Sequence, residues 1–412
     1  MDATTGALPL HGIRVLELGQ YIAGPGAGMI LCELGADVVK VEPLEGDQAR
    51  HVGRFGKAMI RGYNRSKRSL AIDLKDRRGR EAVLQLAASC DVVIQNLRPG
   101  AVERLGLGPA ELRKRFPRLI YLSVVGFGSQ GPSANRPGFD VAAQAESGLM
   151  SITGEPERLP QKVGAPIIDS STAHVAAQAV LAALFRRERE NVGQAIEISL
   201  LDVAMHLQLA NWSDFLGGGP EPRRIGNGQP YNAPAADLVR TRDGHIVLSA
   251  YPDEHWARFC RLVGREDMIA DPRFESNEKR VAHRADMLKA LDDILSDRSS
   301  EECIALLGGN GIVAGAVRSY AQTLESADVQ ASGIVICAQG RDNGEGYQSL
   351  GLPDRMVDLP RRDTVAAPEV GADSIGVLAE AGFTPAQIRD LQASRVIVQA
   401  GSVGAPSWTE PE

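Results

Sequence analysis

Short apolar runs alternate with amphipathic stretches through the first two hundred residues. Ile13-Arg14-Val15-Leu16-Glu17-Leu18 has the length and bounding residues of a strand. A glycine-rich turn is predicted over Ala23 to Gly28, then a helical segment over Met29 to Leu34 that Gly35 closes as a C-cap. Asp37 to Glu42 is a second strand, stopped by Pro43. Arg80 to Ser89 reads as a helix, and Asp91 to Gln95 and Leu119 to Val125 read as further strands. The longest apolar stretch, Ala173 to Phe185, falls short of the ~17–25 residues that span a bilayer and is expected as a buried helix. Short apolar strands alternating with helices predict a parallel, doubly wound α/β sheet.

The texture changes near residue 214. Gly217-Gly218-Gly219-Pro220 and Gly226-Asn227-Gly228-Gln229-Pro230 have the composition of linkers or functional loops. Beyond them Gly244 to Leu248 is strand-like, and Trp256 to Val263 and Arg284 to Leu295 are helical, so residues 225–325 read as a smaller second domain. Another helix is expected near Ile375 to Ala381, and the small, polar end from 401 to 412 as a disordered tail.

A length of 412 residues agrees with two or three domains. The net charge of −7 removes any bulk electrostatic case for nucleic-acid binding. Five cysteines, with no Cys-x-x-Cys pair, argue against a zinc ribbon or a disulfide framework and for a cytoplasmic chain. Met1 to Leu10 lacks the basic and apolar regions of a signal peptide, and no membrane partner is expected. No His/Cys/Asp cluster has metal-ligand spacing, so no metal is expected. Glycine is the unusual residue: 44 of them, about 11% against a usual ~7%. The first cluster imitates a dinucleotide fingerprint, with Glu42 as the distal acid. The third glycine of that pattern would fall at Met29, however, and Pro25 sits inside the turn, so nicotinamide binding is not expected.

Several segments, in order from Leu10 to about Val396, resemble the class III coenzyme A transferases, the CaiB/BaiF-type group that includes formyl-CoA transferase and carnitine CoA-transferase. They are Leu10-His11-Gly12-Ile13-Arg14-Val15-Leu16-Glu17-Leu18 with Ala23-Gly24-Pro25, Leu34 to Glu42, and Asn64-Arg65-Ser66-Lys67-Arg68-Ser69-Leu70. Asn96-Leu97-Arg98-Pro99-Gly100, Gly126 to Pro132 and Pro137-Gly138-Phe139-Asp140 continue the match. The resemblance implies a large Rossmann-like domain (1–214 with 330–400), the small α+β domain at 225–325, joining linkers and an interlocked homodimer.

Asp169, in Gly164-Ala165-Pro166-Ile167-Ile168-Asp169-Ser170, stands before the apolar helix and reads locally as its N-cap, where the helix dipole favours an anion. By resemblance Asp169 is also the catalytic carboxylate. The implied reaction uses no metal or permanently bound cofactor: an acyl-CoA, with succinyl-CoA as one candidate, gives its CoA to a free carboxylic acid through anhydride and thioester intermediates on the aspartate. The loop Gly226, Asn227, Gly228 and Gln229 resembles the family's glycine lid. The N–H groups of Ile22 and Ala23, or of that lid, are candidates for stabilising an oxyanion. Asn96, Leu97, Arg98 and Arg104 are implied along the CoA channel and Ile72, Asp73 and Lys75 near the nucleotide. Arg136 is implied near Pro137, and Asp140 behind the site. Two other readings remain open. The related α-methylacyl-CoA racemases have a histidine where Phe139 stands, and His174, the nearest histidine in sequence to Asp169, is expected to be structural. The third reading is a non-catalytic acyl-CoA-binding protein.

Overall fold

The computed structural model describes residues 8–228, 236–250, 252–341, 344–354, 356, 358–359 and 362–401. The chain forms two compact units. The larger comprises Met1–Leu149, Val163–Trp212 and Ser332–Glu412, the smaller Met150–Lys162 and Ser213–Ala331. Residues 150–162, expected in the larger domain, pack with the smaller unit.

In the larger unit, strands β1 (Arg14–Leu18), β2 (Asp37–Glu42), β3 (Arg68–Ile72), β4 (Val92–Gln95), β5 (Ile120–Val125) and β6 (Ala195–Ser199) run parallel in the order 3-2-1-4-5-6. A two-residue antiparallel strand, Ile397–Val398, closes the β3 edge. The same C-terminal segment satisfies β3 N–H groups: Ser69 donates to Asp373, Ala71 to Ser374 Oγ and Asp73 to the Val396 carbonyl. The connections are helices α1 (Ala23–Glu33), α2 (Gly53–Tyr63), α3 (Arg77–Ala87), the single turn α4 (Ala101–Arg104) and α5 (Pro109–Arg115). Next come α6 (Asp140–Glu146), the single turn α7 (Leu149–Ile152), whose last three residues belong to the smaller unit, and α8 (Ile167–Glu190).

Alternation along the strands builds a core on each face of the sheet. Val15, Val92, Ile94, Ile120 and Leu122 meet Ala27 and Leu31 of α1 and Ala173, Ala176 and Val180 of α8. Leu16, Val39, Val41, Val93 and Tyr121 meet Val83 and Leu86 of α3 together with Val377, Leu378 and Leu391. Strand order reverses between β1 and β4, so the segments leaving their C-terminal ends diverge and open a crevice, the usual ligand position of such a sheet.

The expected turn over Ala23 to Gly28 is instead the first half of α1, buried from Ala23 to Cys32. Its glycines serve close approach. A Cβ on Gly26 would lie 2.6 Å from the Ala173 Cβ of α8, and one on Gly28 would lie 1.9 Å from Glu17 Oε2. Tertiary packing here outweighs the helix cost of about 1 kcal/mol per glycine. Gly35 does follow the helix in the left-handed region, at φ +108°.

α8 begins six residues before the expected Ala173 and runs 24 residues, enough by length and composition to cross a bilayer. Its Ile168, Ala173, Ala176, Ala177, Val180 and Ala183 belong to the core of the larger unit, as in the core helix of a folded domain. The smaller unit carries an antiparallel sheet of β7 (Ala236–Arg240), β8 (His245–Ser249) and β9 (Val313–Ala316) over a core that includes Trp256, Phe259, Phe274, Met287 and Leu291.

Candidate active site

A cavity of about 320 Å³ lies at the switch point. The segment after β1 gives it Gln20, Tyr21, Ile22 and Ala23, and the segment after β4 gives it Asn96, Leu97 and Arg98. Arg104, Arg136, Phe139 and Asp169 complete the part of the wall expected from sequence. A second cavity of about 410 Å³ is lined by Ile72, Asp73 and Lys75 and shares Gln20, Leu97, Ala101 and Arg104 with the first. Twelve of the seventeen expected site residues thus line two adjoining hollows along the C-terminal ends of the strands.

Asp169 is the third residue of α8, with Pro166 at the N-cap position. The cap comes from Asp140, the first residue of α6. Asp140 Oδ2 accepts the N–H groups of Ile168 at 2.7 Å and Asp169 at 3.1 Å. Its other oxygen accepts a hydrogen bond from Gln144 Nε2, and Gln144 Oε1 accepts the Val163 N–H at 2.9 Å. This changes the electrostatics expected of Asp169. The helix N-terminus already faces one carboxylate, so burial first and Asp140 second push the Asp169 carboxyl up from 3.8 to about 7.

α1 also presents its N-terminus at this cavity. Among the described residues the N–H groups of Ile22, Ala23 and Gly24 meet no acceptor, as expected for the first turn of a helix without a side-chain cap. Two helix N-termini thus meet here: one is occupied by Asp140, and the other is open to an oxyanion.

The cations differ in their freedom. Arg136 pairs with Glu146 and stacks 4.1 Å over the Phe127 ring. Arg98, Arg104 and Lys75 are exposed and form no ion pair among the described residues. The Asn96 side chain is committed to the backbone of Gln20: its oxygen accepts the N–H at 2.7 Å and its Nδ2 donates to the carbonyl at 2.8 Å. Asn96 therefore holds the wall of the cavity. His174 is exposed on α8 and does not line the cavity.

Gly226, Asn227 and Gly228 belong to the smaller unit, where Gly226 takes φ +69° and donates its N–H to the Gly154 carbonyl at 3.0 Å. Gln229 lies outside the described residues, as does the expected tail from 402 onward.

Three residues of the site gave no sequence signal. Tyr21 is left-handed at φ +63° and meets Phe139 edge-on, with ring centroids 5.6 Å apart. Gln48 lines the cavity and accepts the Tyr21 hydroxyl at 3.1 Å. Asp47 beside it is fully buried.

The fold and crevice define an open α/β protein with a carboxyl group at the switch point of its sheet. The model of CoA-transferase family III matches residues 10–374, and the chain belongs to that family: it is an enzyme that transfers CoA. It is 37% identical over 343 residues to the probable fatty acyl-CoA transferase Rv3272 of Mycobacterium tuberculosis, covering 79% of this chain and 86% of that one. It is 34% identical over 383 residues to succinate–glutarate CoA-transferase of Agrobacterium fabrum, covering 90% and 95%. A crystal structure of a CaiB/BaiF family protein from Brucella suis superposes with a TM-score of 0.82 at 33% identity, covering 91% of this chain and all of that one.

Proposed function

We propose that the enzyme moves CoA from an acyl-CoA to a free carboxylic acid with Asp169 as the nucleophile. The observation that carries this reading is the Asp169 carboxyl in a cavity also lined by Ile22 and Ala23 of the uncapped α1 N-terminus. The Asp169 carboxylate attacks the thioester carbonyl, the C–S bond breaks, and a mixed anhydride and CoA thiolate result. The thiolate attacks the aspartyl carbonyl of the anhydride, which releases the donor acid and leaves an aspartyl-CoA thioester. The acceptor carboxylate attacks that thioester to form a second anhydride, and the returning thiolate attacks its acyl carbonyl, which frees Asp169. One thioester replaces another, so the exchange needs no external energy source. Each attack builds negative charge on a carbonyl oxygen, and the N–H groups of Ile22 and Ala23 are suited to stabilise it.

The second cavity suits the nucleotide half of CoA, with Lys75 and Arg104 as partners for phosphate. Succinyl-CoA is the proposed donor and a dicarboxylic acid the proposed acceptor, by analogy with the succinate–glutarate relative. Phe139 has no proton to transfer, which disfavours racemisation.

The test is incubation with succinyl-CoA and a panel of mono- and dicarboxylic acids. New acyl-CoA is expected from the wild type and none from Asp169→Ala. Exchange retained by Asp169→Ala, or α-deuterium uptake without exchange, would overturn the reading.

A further inference from the structure

The segment after β1 and the first turn of α1 are held by side chains that do not line the cavity, in addition to Asn96. Lys40 Nζ donates to the Gly19 carbonyl at 2.7 Å, and Lys67 Nζ donates to the Pro25 carbonyl at 2.7 Å. Asp47 Oδ1 accepts the Tyr21 N–H at 3.2 Å and the Ala49 N–H at 2.9 Å. Beneath them Glu17 bridges the two lysines, at 3.3 Å from Lys40 and 2.7 Å from Lys67, and Asp47 Oδ2 lies 2.8 Å from Lys40. All four side chains of this cluster are inaccessible to solvent.

A buried ionic cluster is a poor source of stability, because apolar residues of equal volume often serve as well or better. What apolar residues lack is donors and acceptors at fixed points. Here those points are the backbone groups of Gly19, Tyr21 and Pro25, which flank Ile22 and Ala23. Tyr21 needs such support, since a left-handed backbone at a non-glycine residue costs about 1–3 kcal/mol and persists only where its surroundings impose it. Burial alone would raise the Asp47 carboxyl. Lys40 and the N–H groups of Ala49 and Tyr21 outweigh it and hold Asp47 below its usual value, so it remains an anion.

We propose that Asp47 is a positioning residue of the transfer reaction: by fixing left-handed Tyr21 it sets the direction in which Ile22 and Ala23 present their N–H groups to the reacting carbonyl. This rests on the transferase reading of the Asp169 cavity. Asp47 acts from the segment after β2, whose next residue, Gln48, lines the same cavity and holds the Tyr21 hydroxyl. The backbone and the ring of Tyr21 are therefore both fixed from one place.

The test uses the full chain with Asp47→Ala and Asp47→Asn, and reads amide hydrogen exchange over residues 19–26 beside kcat and KM. Asp47→Ala is expected to speed exchange over that segment at least about tenfold and to lower kcat at least about tenfold, with KM for acyl-CoA changed less than about threefold. Asp47→Asn keeps an oxygen for the Tyr21 N–H and is expected to recover most of both losses. Unchanged exchange in Asp47→Ala overturns the proposal, as does a fall in kcat matched by a rise in KM, or an asparagine variant no better than the alanine one. If Asp47→Ala does not fold, Asp47→Asn decides alone: kcat within about threefold of wild type supports the proposal and a larger loss overturns it. The exchange measurement reads positioning without turnover, so a wild type that transfers no CoA would refute the transferase reading and leave the loop result standing.

Discussion

Asp140→Asn separates the cap on α8 from the charge that accompanies it. The asparagine oxygen can still accept the N–H groups of Ile168 and Asp169, which lie 2.7 and 3.1 Å from Asp140 Oδ2. What disappears is the second negative charge beside Asp169. A rise from 3.8 to about 7 corresponds to about 4 kcal/mol against ionisation. Burial is the larger of its two causes, so Asp140 supplies less than about 2 kcal/mol, or about 1.5 pH units. The Asp169 midpoint, followed by carbon-13 NMR of its carboxyl and by the acid limb of kcat/KM, is expected to fall from about 7 to about 5.5–6.5. Below about pH 6 the variant then holds more Asp169 as the anion and is expected to outpace the wild type. Above about pH 8 both are ionised, and the variant is expected to be no faster, because the less basic carboxylate is the weaker nucleophile. A midpoint that stays at about 7, or rises, refutes the electrostatic role given to Asp140.

Asp169→Asn is expected to abolish transfer and to stabilise the larger unit at neutral and higher pH. A carboxyl raised in the folded state has its full favourable effect below the unfolded value of 3.8 and loses it as pH rises through about 7. The advantage of the variant should therefore grow toward pH 8, by up to about 4 kcal/mol, and vanish near pH 3.5; thermal midpoints at the two pH values check it. Gly28→Ala pushes a methyl group against Glu17 inside the buried ion cluster and is expected to cost about 3 kcal/mol or more, read from urea unfolding. Gly62→Ala, in α2 with open space around its Cβ position, is expected to stabilise by about 0.5–1 kcal/mol in the same assay. Arg98→Ala and Arg104→Ala are each expected to raise KM for acyl-CoA about tenfold with kcat within about twofold, since phosphate contacts serve ground state and transition state alike.

Local signals are legible where the chain carries its own punctuation. β2 was expected at Asp37 to Glu42 and is found there, because Gly35 ends the helix before it and Pro43 stops the strand. The first half of α1 carries the signal of a turn, because a glycine cluster looks the same whether it serves a turn or a close helix approach. The partners that decide, Ala173 and Glu17, are distant in sequence or on another element. The reading of Asp169 as N-cap failed for a similar reason: its helix takes its cap from Asp140, 29 residues upstream. The expected CoA residues do gather along the strand ends, because motifs placed after β1, β3 and β4 share one edge of a parallel sheet. Tyr21, Gln48 and Asp47 escaped notice because their roles depend on a backbone conformation and on register between β1 and β2, which sets Glu17 beside Lys40.

The antiparallel strand at Ile397–Val398 bears on how the protein is made. β3 is synthesised about 325 residues before the segment that pairs with its edge. At about 5–20 residues per second the ribosome takes roughly 16–65 s to supply it. Through most of that interval the N–H groups of Ser69, Ala71 and Asp73 lack the partners that Asp373, Ser374 and Val396 later provide. An open parallel-sheet edge is a template for pairing with other chains. Nascent chains ending before residue 370 should therefore bind chaperones and be cut readily by protease, and chains completed to 401 should resist both. The smaller unit, made wholly within that interval, has time to fold first.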